Sequence, residues 1–159
     1  MHPILRLVQK NAKLSTAEVA QFLALDPTEV AGKIAGWEAD GTILGYQAIL
    51  DAEKTGADGV TALIEVKITP ERGGGFDRLA ERIAKFDQVR SCTLMSGGYD
   101  LAVVVEGESL REVARFVAEK LSTIEGVLST ATRFQLKVYK QNGLLARTET
   151  GADRLSVTP

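Results

Sequence analysis

The chain has 159 residues, 45% of them apolar and 25% charged, and nineteen Lys and Arg against twenty-one Asp and Glu leave a formal charge of −2. That balance excludes a polycationic nucleic-acid coat and an acidic disordered tail. One Cys (Cys92) and one His (His2) exclude an intrachain disulfide, a Cys-based zinc finger and multi-His metal sites, and a terminal imidazole is a poor general base for a Ser-His-Asp triad.

Helix punctuation dominates the first fifty residues. Pro3 suits a first helical position, and Ile4, Leu5 and Val8 follow at helical spacing. Ser15-Thr16-Ala17-Glu18 reads as a capping box, with Val19, Phe22 and Leu23 forming the apolar face behind it. After Ala24-Leu25, Asp26-Pro27-Thr28-Glu29 is a second helix start; Val30, Ile34 and Trp37 recur at i, i+4 and i+7, and Gly41 ends the helix. Two short helices across a tight turn, with a helix in front, predict a helix-turn-helix in which Trp37 belongs to the core. Residues 42–50 are β-branched and aromatic and predict a wing-like hairpin. Residues 51–59, polar and punctuated by Gly56 and Gly59, read as a linker.

The second half reads β-α-β-β-α-β. Residues 60–69 alternate, with Val60, Ala62, Ile64, Val66 and Ile68 on one face; Phe76, Leu79, Ala80, Ile83 and Ala84 mark a helix. A strand over 89–96, a two-residue Gly97-Gly98 turn and a return strand over 99–106 make a hairpin. Leu110, Val113, Ala114, Val117 and Leu121 mark the second helix, and residues 127–139 a long last strand with Leu128, Phe134, Leu136 and Val138 apolar. The fold class is therefore α+β: a winged helix-turn-helix over 1–50, a linker over 51–59, a ferredoxin-like βαββαβ domain over 60–140 and a tail over 141–159. Two helices cover one face of a four-stranded sheet. Yet the third strand is apolar on both parities (Leu101, Val103, Val105 and Ala102, Val104), and Leu63 and Leu94 interrupt otherwise polar faces. A homodimer, sheet against sheet, is expected.

Several features read blandly. Arg72-Gly73-Gly74-Gly75 lacks the Lys-Ser/Thr of a P-loop and reads as a strand-to-helix connection. Cys92 reads as a small buried hydrophobe, and His2 as merely terminal. Gln141-Asn142-Gly143 ends the last strand, and Leu155-Ser156-Val157 has the pattern of a short edge strand. No apolar run approaches the roughly 18–20 residues of a membrane span and no signal peptide is evident, so a reducing cytoplasm is expected.

Four stretches, in this order, carry a family resemblance: Gln9-Lys10-Asn11-Ala12-Lys13-Leu14-Ser15, Trp37-Glu38-Ala39-Asp40-Gly41-Thr42-Ile43-Leu44-Gly45-Tyr46, Met95-Ser96-Gly97-Gly98-Tyr99-Asp100-Leu101 and Gly126-Val127-Leu128-Ser129-Thr130-Ala131-Thr132. On these the chain resembles the Lrp/AsnC (feast/famine) transcriptional regulators. The resemblance implies a DNA-binding helix-turn-helix and an αβ domain that forms dimers, often assembled into rings. It also implies an amino acid or similar small effector bound between subunits. No cofactor and no catalysis are expected, since no acid–base pair is available. The other reading is a small-molecule sensor or protein-interaction module with weak or lost DNA binding.

For double-stranded DNA the candidates are Lys10, Lys13 and Lys33 as cations, Ser15 and Thr16 with the helix N-termini as phosphate donors, and Thr28, Glu29 and Lys33 facing base edges. The bland alternative is a three-helix scaffold for protein contacts. Charge complicates the DNA reading: residues 1–59 carry five basic and eight acidic side chains, net −3, against +1 for 60–140 and zero for 141–159. The recognition helix has only Lys33 against Glu29, Glu38 and Asp40, with Gly32 and Gly36 outward. For the effector, the motif match carries over Gly97, Gly98, Tyr99 and Asp100, with Thr130 and Thr132 on the last strand. In that reading the loop amides and Asp100 meet the effector's carboxylate and ammonium; the bland alternative is a tight turn that needs its glycines.

Overall fold

The computed structural model describes residues 1–56, 59–70 and 75–146, which fall into two units meeting between Ile49 and Leu50. The first contains α1 (Pro3–Lys10), α2 (Thr16–Leu23) and α3 (Pro27–Ala39). Each begins where a side chain satisfies the amides that a helix start leaves unpaired. Ser15 and Glu18 form the full reciprocal capping box on α2, and Asp26 Oδ1 accepts from the Thr28 and Glu29 amides on α3. His2 is more than a loose end: its Nδ1 accepts from the Ile4 amide at 3.3 Å, and its ring lies tilted against Trp37, centroids 5.0 Å apart. Ile4, Val19, Ala20 and Val30 are the buried centre, with Leu7, Ile34 and Trp37 packed around it. The helix-turn-helix and the core position of Trp37 are as expected.

Residues 42–50 form no strand. Their start is held to α3, Asp40 accepting from the Thr42 amide and Tyr46 donating its hydroxyl to Glu38 at 2.7 Å. Leu44 nevertheless stands 97% exposed. A strand needs a partner ladder, and none of the described segments supplies one to this stretch.

The second unit opens with α4 (Ala52–Thr55), a single turn inside the expected linker. Then come β1 (Val60–Ile68), α5 (Asp77–Ala84), β2 (Val89–Leu94), β3 (Leu101–Gly107), α6 (Leu110–Phe116) continuing as a π-helical turn over Val117–Leu121, and β4 (Val127–Phe134). The sheet order β2-β3-β1-β4, antiparallel throughout, is the ferredoxin-like arrangement. Ala62, Ile64, Val66 and Ile68 are buried together with Leu101, Val103 and Val105, and α5 and α6 close over them with Leu79, Ile83, Val113 and Phe116. Odd residues of β3 and even residues of β1 thus face the helices. Leu63, Ala102 and Val104 face the other way and stay half-buried.

Four details differ from expectation. The hairpin is not a two-residue turn: Leu94 pairs with Leu101, six residues intervene, and the Met95 amide donates to the Asp100 carbonyl at 2.8 Å. A two-residue type I′ turn needs positive φ at both central positions, and only Gly97 (φ 133°) has it. Leu94 belongs with Leu101 on the helix-covered side, so it does not interrupt the polar face. The last strand stops at Phe134 because Gln135 donating to the Thr61 carbonyl is its final bond, and β1 begins at Val60. Finally, the chain past it makes its own small hairpin, β5 (Lys140–Gln141) and β6 (Leu144–Leu145), turning through Asn142 and Gly143, both at positive φ. Arg72-Gly73-Gly74 and Leu155-Ser156-Val157 lie outside the described residues. No described helix is long and apolar enough to cross a membrane.

Candidate functional site

The helix-turn-helix unit presents its charges unevenly. Of the eight acids counted before residue 60, Asp51, Glu53 and Asp58 lie beyond Ile49 with Lys54, leaving four basic and five acidic side chains, net −1. All five acids are engaged locally: Glu18 with Ser15, Asp26 with two amides, Glu29 with Lys33, Glu38 with Tyr46, and Asp40 with Thr42. Arg6, Lys10 and Lys13 are exposed and make no ion pair among the described residues. Arg6 was missed as a candidate. Its signal is its i, i+4 spacing from Lys10, which sets both on the face of α1 opposite Ile4.

Among the predicted DNA contacts, Thr28 and Glu29 lie exposed in the first turn of α3, and Lys33 follows one turn on, half-buried. Lys33 Nζ is 2.9 Å from Glu29 Oε1, so the cation offered to a phosphate already has a carboxylate. The amides of Thr28 and Glu29 are held by Asp26, and Pro27 has none to give. Ser15 is also committed, its hydroxyl donating to Glu18 Oε2 at 2.7 Å. That leaves the exposed Thr16 hydroxyl at the start of α2 as the neutral donor.

These caps set an acid limit. Amide donors hold the Asp26 and Asp40 carboxyls below the usual carboxylate range, and the Ser15 hydroxyl and amide do the same for Glu18. A carboxyl with a lower pKa folded than unfolded contributes stability above the unfolded value, near 4, and loses it as pH falls through the folded value. Thermal melts should therefore be flat down to about pH 5 and drop below about pH 4, and Asp26→Asn should flatten part of that drop.

In the second unit, the expected effector residues divide into two groups. Gly97 and Gly98 are exposed in the 95–100 loop, and Tyr99 and Asp100 are half-buried beside them. Tyr99 lies near Arg133, whose guanidinium is held above its usual range mainly by the Glu65 carboxylate, with Tyr99 adding to it; Arg133 grips Glu65 at 2.8 and 3.1 Å. Asp100 is not free: its Oδ2 accepts from the Ile68 amide at 2.8 Å. Thr130 and Thr132 pair with Val66 and Ile64, which puts them on the helix-covered side of β4, and Thr130 shares a hydrogen bond with Ser122. They stand two strand spacings, ~10 Å, from the loop. One small amino acid does not bridge that gap within a single chain.

Sequence reasoning also missed a cleft of about 780 Å³ at the other end of β1, where Thr61, Asp87, Gln88, Glu106, Gly107 and Glu112 contribute to its walls. None of the expected effector residues lines it.

Comparison with known proteins gives consistent results. Residues 61–145 match the Lrp/AsnC ligand binding domain model. An HTH-type transcriptional regulator of Bacillus subtilis, YugG, is 44% identical over 157 residues, covering 98% of this chain and 95% of that protein. The leucine-responsive regulatory protein of Haemophilus influenzae is 25% identical, covering 89% of this chain and 85% of its own. Among solved structures, the complex of the transcriptional regulator NMB0573 from Neisseria meningitidis with L-Met superposes with a TM-score of 0.66 at 26% identity, covering 87% of this chain and 89% of that one.

Proposed function

Because the chain belongs to the Lrp/AsnC family of transcriptional regulators, we propose that it works as a cytoplasmic homodimer, binding double-stranded DNA through its first unit and a free amino acid through its second. It is a regulator and not an enzyme. The observation that carries the proposal is the pairing of a capped three-helix unit with a matched ligand-binding domain in one chain.

On the DNA side, Lys10, Lys13 and Thr16 grip phosphates, and Thr28, Glu29 and Lys33 meet base edges once the Glu29–Lys33 pair opens. Each cation that neutralises a phosphate releases counterions, so log K falls with log salt by about 0.9 per contact. Lys10→Ala and Lys13→Ala should each lower the slope by about one per subunit and weaken all sequences alike. Lys33→Ala should barely change the slope, since a lysine on a base edge neutralises no phosphate, but should relax base preference. Titrating a bound fragment and a scrambled one across 50–200 mM salt reads both effects.

On the effector side, the amides of Gly97 and Gly98 receive a carboxylate and Tyr99 flanks it. Thr130 and Thr132 approach from a neighbouring subunit, which makes binding depend on assembly. A ligand shifts assembly only through unequal affinity for the two states. Sedimentation profiles with each of the twenty amino acids should show at least one that changes the species present; no change with any of them contradicts the effector reading.

The caps on α3 and the Glu29–Lys33 pair favour a second reading, a sensor whose helix-turn-helix no longer grips DNA. Unaltered binding in the lysine variants, or none in the parent, supports it.

A further inference from the structure

Asp100 is the point where three strands meet at the loop end of the sheet. Its amide donates to the Val66 carbonyl at 3.0 Å, its carbonyl accepts from Met95 at 2.8 Å, and its carboxylate accepts from Ile68 at 2.8 Å. The first and third of these bonds carry the β1–β3 pairing past its last ladder pair, Val66 with Leu101. The second closes the 95–100 loop. Ile68 is no ordinary partner. The register of β1 against β4 shifts between Lys67 and Ile68, where Ser129 and Val127 are the successive opposites and Leu128 is left over, 67% exposed. Beyond the bulge the Thr69 amide donates to the carbonyl of Gly126 at 2.8 Å, a residue with φ 94° where a Cβ would stand 3.2 Å from the Leu79 side chain. A bulge of this kind re-aims the chain and depends on neighbours to hold it.

We propose that Asp100 is a positioning residue that ties the 95–99 loop to the β1–β4 bulge through the Ile68 amide, rather than a contact to the effector's ammonium group. This rests on the reading that the loop receives an amino acid. The bond needs an acceptor oxygen at one place; it does not need the negative charge. A contact to an ammonium group needs the charge above all and tolerates some displacement of it.

Two substitutions separate these requirements. Asp100→Asn keeps an oxygen at the same reach and removes the charge. Asp100→Glu keeps the charge and adds a methylene, which moves the carboxylate off the Ile68 amide. Both leave the apolar core untouched. The test uses the full-length chain. Hydrogen exchange of the Ile68 amide is followed by NMR without ligand, and calorimetric titration is run with each of the twenty free L-amino acids, L-methionine first.

The expected result is Ile68 protection retained in Asp100→Asn and lost by about tenfold or more in Asp100→Glu. For whichever amino acid binds the parent, Asp100→Asn should bind within about threefold and Asp100→Glu at least about tenfold more weakly. The reverse order of affinities, or Ile68 protection unchanged in Asp100→Glu, overturns the proposal. If no amino acid binds the parent, the effector reading fails, and the exchange measurement still decides whether Asp100 holds the bulge.

Discussion

Val104→Glu is expected to turn the proposed homodimer into monomers. Val104 lies near the middle of β3 on the face the helices leave uncovered, beside Ala102 and across from Leu63. In a lone chain that face meets water, and a carboxylate there costs the fold little. Against a second copy, two-fold symmetry brings the same patch to both sides, so one substitution buries two like charges. An unpaired charge removed from water costs several kcal/mol, and about 4 kcal/mol corresponds to roughly a thousandfold in the dimer dissociation constant. Sedimentation equilibrium should show the shift, with Arg111→Glu on the exposed side of α6 as a control that stays dimeric. DNA binding should weaken with it, because two half-site contacts no longer act together. A Val104→Glu protein that sediments as the parent does would place the interface elsewhere.

Ile64→Ala addresses the fold that presents this face. Ile64 is completely buried at the centre of β1, between Val103 on β3 and Thr132 on β4. Its neighbours lie on paired strands and cannot collapse far into the space left, so both the transfer and the cavity terms apply. The loss should be about 2–5 kcal/mol, a large share of the 5–15 kcal/mol typical of a domain. A drop in melting temperature on the order of 10–20 °C should follow for the second unit. Ile64→Val should cost about 0.5–1.5 kcal/mol. Equal melting of the parent and Ile64→Ala would mean that β1 is not the centre of the core.

How much of this was legible depends on how far apart the interacting residues lie. Ser15-Glu18 and Asp26-Thr28 cap helices within three residues of themselves, and both starts read directly. The alternation from Val60 to Ile68 named the buried face of β1 correctly, because a period of two needs no knowledge of the partner. Residues 42–50 and 136–139 have strand composition without a strand, since β propensity measures fit to a neighbour and none is supplied. Gly97-Gly98 reads as a tight turn, but the ladder ends at Leu94 and Leu101, and Asp100 is engaged with a residue 32 positions earlier. The side of Thr130 and Thr132 was available from their shared parity with Phe134. A motif match carries no face. The role of His2 stayed hidden because its partner, Trp37, is 35 residues away.

The unevenness of charge changes most between sequence and structure. Counted over residues 1–59, acid outweighs base where DNA is expected. Once Asp51, Glu53 and Asp58 are set beyond the first unit the balance there falls to −1; Glu18, Asp26, Glu38 and Asp40 keep their charge, and Arg6, Lys10 and Lys13 are the exposed cations with no carboxylate partner among the described residues. With so few cations the expected grip of one subunit is small, and in the proposed reading dimerisation supplies the rest.

Selection of bound fragments from the genomic DNA of the source organism, at low and at moderate salt, shows whether the protein binds specific DNA as a dimer. A discrete set of enriched fragments is expected at both salts, with enrichment reduced by Lys10→Ala and abolished by Val104→Glu. Absence of enrichment at either salt, with the protein dimeric and folded, would contradict that reading.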